Sequence, residues 1–190
     1  MDIILASASP RRRELMKLIT DDFTAVSTDC DETLPPDIPA VSASQYLAVL
    51  KAKAAGQKYP GSLIIGCDTT VIVDDTILGK PADKNECRRF MQMLSGRTHQ
   101  VITGCCLLYK EMIRSFSVVT DVTFRPLSDE EIEKYISTDE PYDKAGGYGI
   151  QGKGALLASG INGDFFNVVG LPVSALDQEL NKFINDIKEN

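Results

Sequence analysis

Residues 98–125 contain two long β-prone runs, THQVITGCCLLY and MIRSFSVVTDVTFR, separated only by the polar pair Lys110-Glu111. A link that short joins antiparallel neighbours, because parallel strands need a crossover of a dozen residues or more. The fold must therefore contain a long hairpin. Around it the chain alternates. DIIL (2–5) reads as a short buried strand that feeds a helix starting at Pro10, with Ser9 as its cap and Leu15, Leu18 and Ile19 on one face. DDFTAVSTD reads as a strand, and a helix is expected from about Ser44 to Gln57 with Leu47, Leu50 and Ala54 inward. SLIIGCDTTVIVDDTIL reads as two strand segments, or one bent hairpin, around Asp68. DKNE (83–86) and SDEE (128–131) each place a capping residue three before a glutamate. GALLASG and DFFNVVG read as a further strand pair, and a last helix begins near Pro172. Helices interleaved with hairpin-linked strands predict a single α/β domain, residues 1–190, on a mixed sheet.

Charge and rare residues narrow the partners. The net charge is −7, the wrong sign for a protein whose main partner is a nucleic-acid backbone. No stretch has the length of a membrane span, and no secretory signal is read at the N-terminus. The five cysteines are odd in number and form no C-x-x-C pair, so buried reduced thiols in a cytoplasmic protein are expected rather than a disulfide framework or a zinc ribbon. His99 is the only histidine. A two-histidine zinc site is thereby excluded, and a metal would be held mainly by oxygen, as Mg²⁺ or Mn²⁺ is.

LASASPRRREL (5–15) breaks a local rule. Arg11, Arg12 and Arg13 occupy the first turn of the expected helix, where the backbone dipole favours carboxylates, and such breaks tend to mark functional sites. Position alone gives two readings of Asp68, a satisfied turn carboxylate or a functional one beside Gly66. Lys51 and Lys53 have an exposed helix face as their default, Lys80 a solvated turn, and Glu32 an acidic loop. The segment DKAGGYGIQGKGA (143–155) packs five glycines around Tyr148 and Gln151. It is either a loop whose N–H groups surround an anion or a base edge, or a tight turn between a helix and a strand. His99 falls in a β run and reads as structural, and Cys67 reads as a packed thiol. Taken together, Ser7, Ser9, Arg12, Lys51 and Lys80 offer hydroxyls and cations suited to a polyphosphate, and Glu32 and Asp68 offer oxygen ligands to a hard cation. That set suits phosphoanhydride hydrolysis, and a triphosphate partner would account for the arginines.

LASASPRRREL, LAVLKAKA, GCDTTV, LGKP, LSGRTHQVITG, EPYDKAGGYGIQGKGA and NVVGLP, in this order across about residues 5–172, resemble the successive signatures of the Maf family of nucleoside triphosphate pyrophosphatases. The resemblance implies a Maf/Ham1-type (ITPase-like) α/β fold, with a long curved mixed sheet, flanking helices and a cleft between two lobes. It implies cleavage between the α- and β-phosphates with a divalent cation, Mg²⁺ or Mn²⁺. By the same resemblance Asp68 is the general base beside the metal and Glu32 a metal-side acid. Ser7, Arg11 or Arg12, Lys51 and Lys80 then match its phosphate-binding residues. Arg12, Thr69 and Gln151 look like the set of the dTTP- and UTP-preferring group. An amide such as Gln151 can meet the O4/N3 edge shared by thymine and uracil. The family also implies a homodimer and a link to septum formation. Two rivals stand beside this reading: the same chemistry on a 7-methylated GTP, and a nucleotide-binding regulator of cell division.

Overall fold

A computed structural model describes residues 1–189. In chain order its elements are β1 (Ile3–Ala6), α1 (Pro10–Met16), β2 (Thr24–Val26), α2 (Ala43–Lys58), β3 (Leu63–Val73), β4 (Thr76–Leu78), α3 (Lys84–Leu94), β5 (Thr98–Tyr109), β6 (Met112–Phe124), α4 (Asp129–Ile136), β7 (Ala158–Asn162), α5 (Phe165–Val169) and α6 (Val173–Glu189). The strands form one sheet in the order β2-β1-β3-β5-β6-β7, with β4 returning on β3. β1 runs parallel to both β2 and β3, whereas β4 on β3 and β7 on β6 are antiparallel. Lys110, in the two-residue link between β5 and β6, has φ 53°, a left-handed conformation typical of tight hairpin turns. The mixed sheet flanked by helices is the α/β arrangement expected from the hairpin-linked runs.

The described residues pack into two compact units. One holds residues 1–68, 103–118 and those from Gly170 onward; the other holds 69–102 and 119–169.

In the first unit, α2 lies flat on the sheet because two strands carry no side chain beneath it. A Cβ on Gly66 of β3 would meet the Ala48 carbonyl oxygen at 2.2 Å, and one on Gly104 of β5 would meet the Gln45 nitrogen at 2.3 Å. Ala48, Ala52 and Ala55 then pack directly on Ile4, Ala6, Ile64 and Cys106. This rotates the helix from its expected setting. Leu50 and Ala54 are only half buried, and Lys51 takes a place on the inward face. Small residues, not the leucine stripe, decide which face is inward, since close backbone approach needs small side chains. At the end of the chain α6 is tied to β6 by Arg114, which donates to Asp186 at 2.6 Å and stacks over Phe183.

In the second unit β3 turns back into β4 through Asp74 and Asp75, both with positive φ (48° and 56°). The turn therefore lies six residues beyond Asp68, which sits inside a continuous eleven-residue strand. The β-branched run TTVIV sustains that strand, so the expected break at Asp68 does not occur. α3 and α4 pack together, capped as their sequences predict by Asp83 and Ser128. Only α4 closes a reciprocal capping box; Glu86 of α3 instead accepts from Ala82 N, one residue before the cap.

Two further expectations are corrected. α1 ends at Met16, so Leu18 has no helix to place it inward and is exposed. DFFNVVG is helical rather than a strand: Asp164 Oδ1 accepts from Phe166 N at 2.8 Å and starts α5, leaving β7 to pair with β6 alone. No helix among the described residues is long and apolar enough to cross a membrane.

Gly66→Ala is expected to lower unfolding free energy by about 3 kcal/mol or more, because the added methyl meets a backbone oxygen that only a helix shift can move. Urea denaturation checks this; a loss below about 1 kcal/mol would mean that α2 is not held by this contact.

Candidate active site

The candidate groups of the first unit gather where β1 ends. β1 and β3 pair in parallel up to the Ala6–Gly66 rung. Ser7 and Asp68 therefore follow within two residues of one rung, on neighbouring strands. Past Ser7 the chain turns into α1, whose cap Ser9 accepts from Arg12 N at 3.4 Å. Ser7 is buried, and its hydroxyl oxygen accepts from Ser9 N (3.2 Å) and from an Arg12 guanidinium nitrogen (3.3 Å). Arg12 Nε donates to the carbonyl of Gly170 at 2.8 Å. Ser7, Ser9 and Arg12 thus form one network that fixes the guanidinium at the strand-to-helix turn. Arg11 is half buried in the same turn, and Arg13 is exposed.

A cluster of three charged groups joins α2, β3 and the loop before α2. Lys51 Nζ contacts Asp68 Oδ1 at 2.5 Å and Glu32 Oε2 at 3.0 Å. The side chains of Lys51 and Asp68 are 11% and 13% exposed, and that of Glu32 is 50% exposed. Burial works to lower the Lys51 pKa, but the charges and hydrogen bonds of Asp68 and Glu32 outweigh it and hold the ammonium above its ordinary range. A solvated helix face was the default for Lys51. Its neighbour Lys53 takes that place, and Lys51 points to the sheet because Gly66 lets α2 come close. Arg12, Asp68 and Lys51 all act electrostatically on buried Cys67. Its sulfur is 3.8 Å from Cys105 Sγ and it has no exposure, as a packed thiol requires. Contact with Cys67 and then burial hold the Cys105 thiol far above its ordinary range.

Two carboxylates against one ammonium leave one unit of negative charge in the cluster. The donors are oxygens on Glu32 and Asp68, with one side open to solvent. Among the described residues no set of three or more His, Cys, Asp or Glu is grouped for a metal. A hard cation held by one or two carboxylates, with water and phosphate completing its shell, fits this donor set; a zinc-type site does not.

The remaining candidates belong to the second unit. Thr69 is half buried in β3, Lys80 is exposed in the turn after β4, and Gln151 is exposed in the glycine-rich segment. That segment resolves one open alternative. Its N–H groups do not surround an empty cradle: Lys153 N and Gly154 N donate to the Glu140 carboxylate at 2.8 and 2.9 Å. The segment does cradle an anion, and that anion is the chain's own carboxylate. Glu140 was not singled out from the sequence, although an acid placed just before a five-glycine stretch was a usable signal. Asn167 of NVVGLP is also structural. It is fully buried and donates to Val101 O and Thr120 Oγ1, tying β5 to β6.

His99 is buried, as its place in a β run predicts. Its Nε2 lies 2.7 Å from Tyr148 Oη, and its ring packs edge-on against Phe124 and Tyr148. Burial drives its pKa down to about 4.

The sequence model of the family described as Maf-like protein matches residues 2–183. A dTTP/UTP pyrophosphatase of Bacillus cytotoxicus is 46% identical over 180 residues, covering 95% of this chain and 94% of that protein. A dTTP/UTP pyrophosphatase of Bacillus cereus is 42% identical over 185 residues, covering 97% of each. Among solved structures, the Ham1 protein of Staphylococcus aureus is similar with a TM-score of 0.49 and 16% identity, covering 65% of this chain and 72% of that one.

A depressed histidine pKa stabilises the fold above the ordinary value of 6.5, and that contribution is lost as pH falls toward about 4. Between pH 7.5 and 4.5 the wild type should lose about 2–3 kcal/mol more stability than His99→Gln. Chemical denaturation at the two pH values measures the difference; parallel losses would contradict a neutral buried imidazole.

Proposed function

The chain belongs to the family of Maf-like proteins, and from that premise we propose that it is a nucleoside triphosphate pyrophosphatase acting on dTTP and UTP. The reaction adds water to the α–β phosphoanhydride and yields a nucleoside monophosphate and pyrophosphate. Relatives named for this activity, at 42–46% identity over nearly the whole chain, support the substrate choice. The observation that carries the chemistry is the Lys51 ammonium set between Asp68 and Glu32.

In this reading Asp68 accepts the proton of the attacking water. Lys51 orients that carboxylate and keeps a cation beside it when phosphate arrives. Arg12, braced by Ser7 and Gly170, presents a guanidinium whose position is set before the substrate binds, which is where electrostatic catalysis gains most. Ser7 and Ser9 hold that guanidinium and the turn around it, and Arg11 adds positive charge in the same turn. Glu32 and Asp68 would hold a divalent cation, Mg²⁺ or Mn²⁺, whose charge neutralises the phosphate oxygens. Thr69, Lys80 and Gln151 enter the reading through their motifs, Lys80 as a phosphate ligand and Gln151 as the amide that meets the pyrimidine edge. A cytoplasmic location and a homodimer belong to the proposal by family resemblance.

Purified protein should release pyrophosphate from dTTP and UTP, faster than from CTP, ATP, GTP or 7-methyl-GTP, and chelator should abolish the release. Asp68→Asn should lower kcat by at least ~100-fold with KM changed by less than about fivefold, as expected of a lost general base. Orthophosphate as product, a purine preference, or near-normal turnover by the variant would each overturn the proposal.

A further inference from the structure

The proposed role of Gln151 raises a physical difficulty. An exposed side chain between glycines has no support of its own, yet base discrimination requires a fixed donor and acceptor. The surroundings of Glu140 supply the support. Glu140 Oε2 accepts from Lys153 N at 2.8 Å, and Oε1 accepts from Gly154 N at 2.9 Å and from the Tyr135 hydroxyl at 3.1 Å. The Tyr135 oxygen in turn accepts from Gly149 N at 3.3 Å. The backbone is thus held on both sides of Gln151, two residues before it through a phenol and two to three residues after it through a carboxylate.

The glycines are part of the same device. A Cβ on Gly152 would lie 2.4 Å from Glu140 Oε2, and one on Gly149 would lie 3.2 Å from Oε1. The backbone can wrap a carboxylate this closely only where side chains are missing. Burial alone would raise the Glu140 pKa, but the N–H groups of Gly154 and Lys153 and the Tyr135 hydroxyl bring it below the ordinary range, so the acceptor stays charged. The carboxylate is itself anchored. Tyr135 is buried in α4, and Lys144 donates to the Glu140 carbonyl at 2.7 Å.

We infer that Glu140, with Tyr135, is a positioning residue for base selection: its carboxylate occupies the hollow of the glycine-rich segment and fixes the backbone that presents Gln151. The inference rests on the reading of Gln151 as the base-contacting amide. It assigns to the segment an internal anion in place of a substrate phosphate.

The test compares Glu140→Gln, Glu140→Ala, Tyr135→Phe and Gln151→Ala with wild type. The readouts are kcat and KM for UTP and CTP, inhibition by inorganic pyrophosphate, and thermal midpoint. Expected for Glu140→Ala and Tyr135→Phe is a loss of UTP-over-CTP selectivity of about tenfold, carried by KM for UTP. Their kcat should stay within about threefold of wild type and pyrophosphate inhibition should be unchanged. Glu140→Gln, which keeps one acceptor oxygen, should fall between. A role in stability alone would instead move kcat, pyrophosphate inhibition and midpoint together and leave selectivity intact. If Glu140→Ala does not fold, Tyr135→Phe removes a single oxygen and carries the same expectation. Lost selectivity in Gln151→Ala with intact selectivity in the Glu140 and Tyr135 variants would overturn this inference alone. Intact selectivity in Gln151→Ala would overturn the reading beneath it.

Discussion

The Lys51 ammonium, shared between the carboxylates of Asp68 and Glu32, is the interaction on which the other features of the first unit converge. Lysine is rarely buried, and an ion pair withdrawn from water recovers its desolvation cost only with close geometry and further partners. Here the second carboxylate supplies the further partner and leaves the cluster with an excess of negative charge. Gly66 and Gly104 bring α2 onto the sheet, and the alanines of that helix close the gap. Without that approach Lys51 would be one more solvated lysine, as Lys53 is.

Two means of holding a side chain proposed to meet substrate operate in this protein. Arg12 is fixed by side-chain and backbone acceptors from three places in the sequence, Ser7, Ser9 and Gly170, so the arginine-rich helix start is braced rather than strained. The glycine-rich segment works the opposite way: its backbone is held and its side chains are few. Glu140 fills the hollow that the glycines create. Both arrangements fix geometry before a ligand arrives, which lowers the entropy cost of binding.

Local chemistry made much of this legible in the sequence. The hairpin at Lys110-Glu111, the caps at Asp83 and Ser128, and the buried lone histidine follow from turn length, capping and composition, and all are present. Ser7, Ser9, Arg12, Lys51 and Lys80 stand out in the sequence as polyphosphate partners and Glu32 and Asp68 as oxygen ligands; the fold joins Ser7, Ser9 and Arg12 in one network and sets Lys51 against both carboxylates, with Lys80 in the second unit. What the sequence hid was set by contacts at long range. The inward face of α2 depends on glycines in two distant strands. The continuity of β3 through Asp68 depends on residues beyond it, and the shift of DFFNVVG to helix depends on Asp164 as a cap. Glu140 was hidden because a carboxylate that binds its own backbone has the same local signature as any acid in a loop.

The claim that Lys51 and Asp68 act as one catalytic unit is tested most directly by a double-mutant cycle on UTP hydrolysis, with Lys51→Met and Asp68→Asn made singly and together. Strong non-additivity is expected: the double variant should be little worse than Asp68→Asn, with a coupling of about 2 kcal/mol or more in kcat/KM. Effects that add, each substitution costing the same whether or not the other is present, would mean that the two groups work apart and would contradict a shared catalytic role.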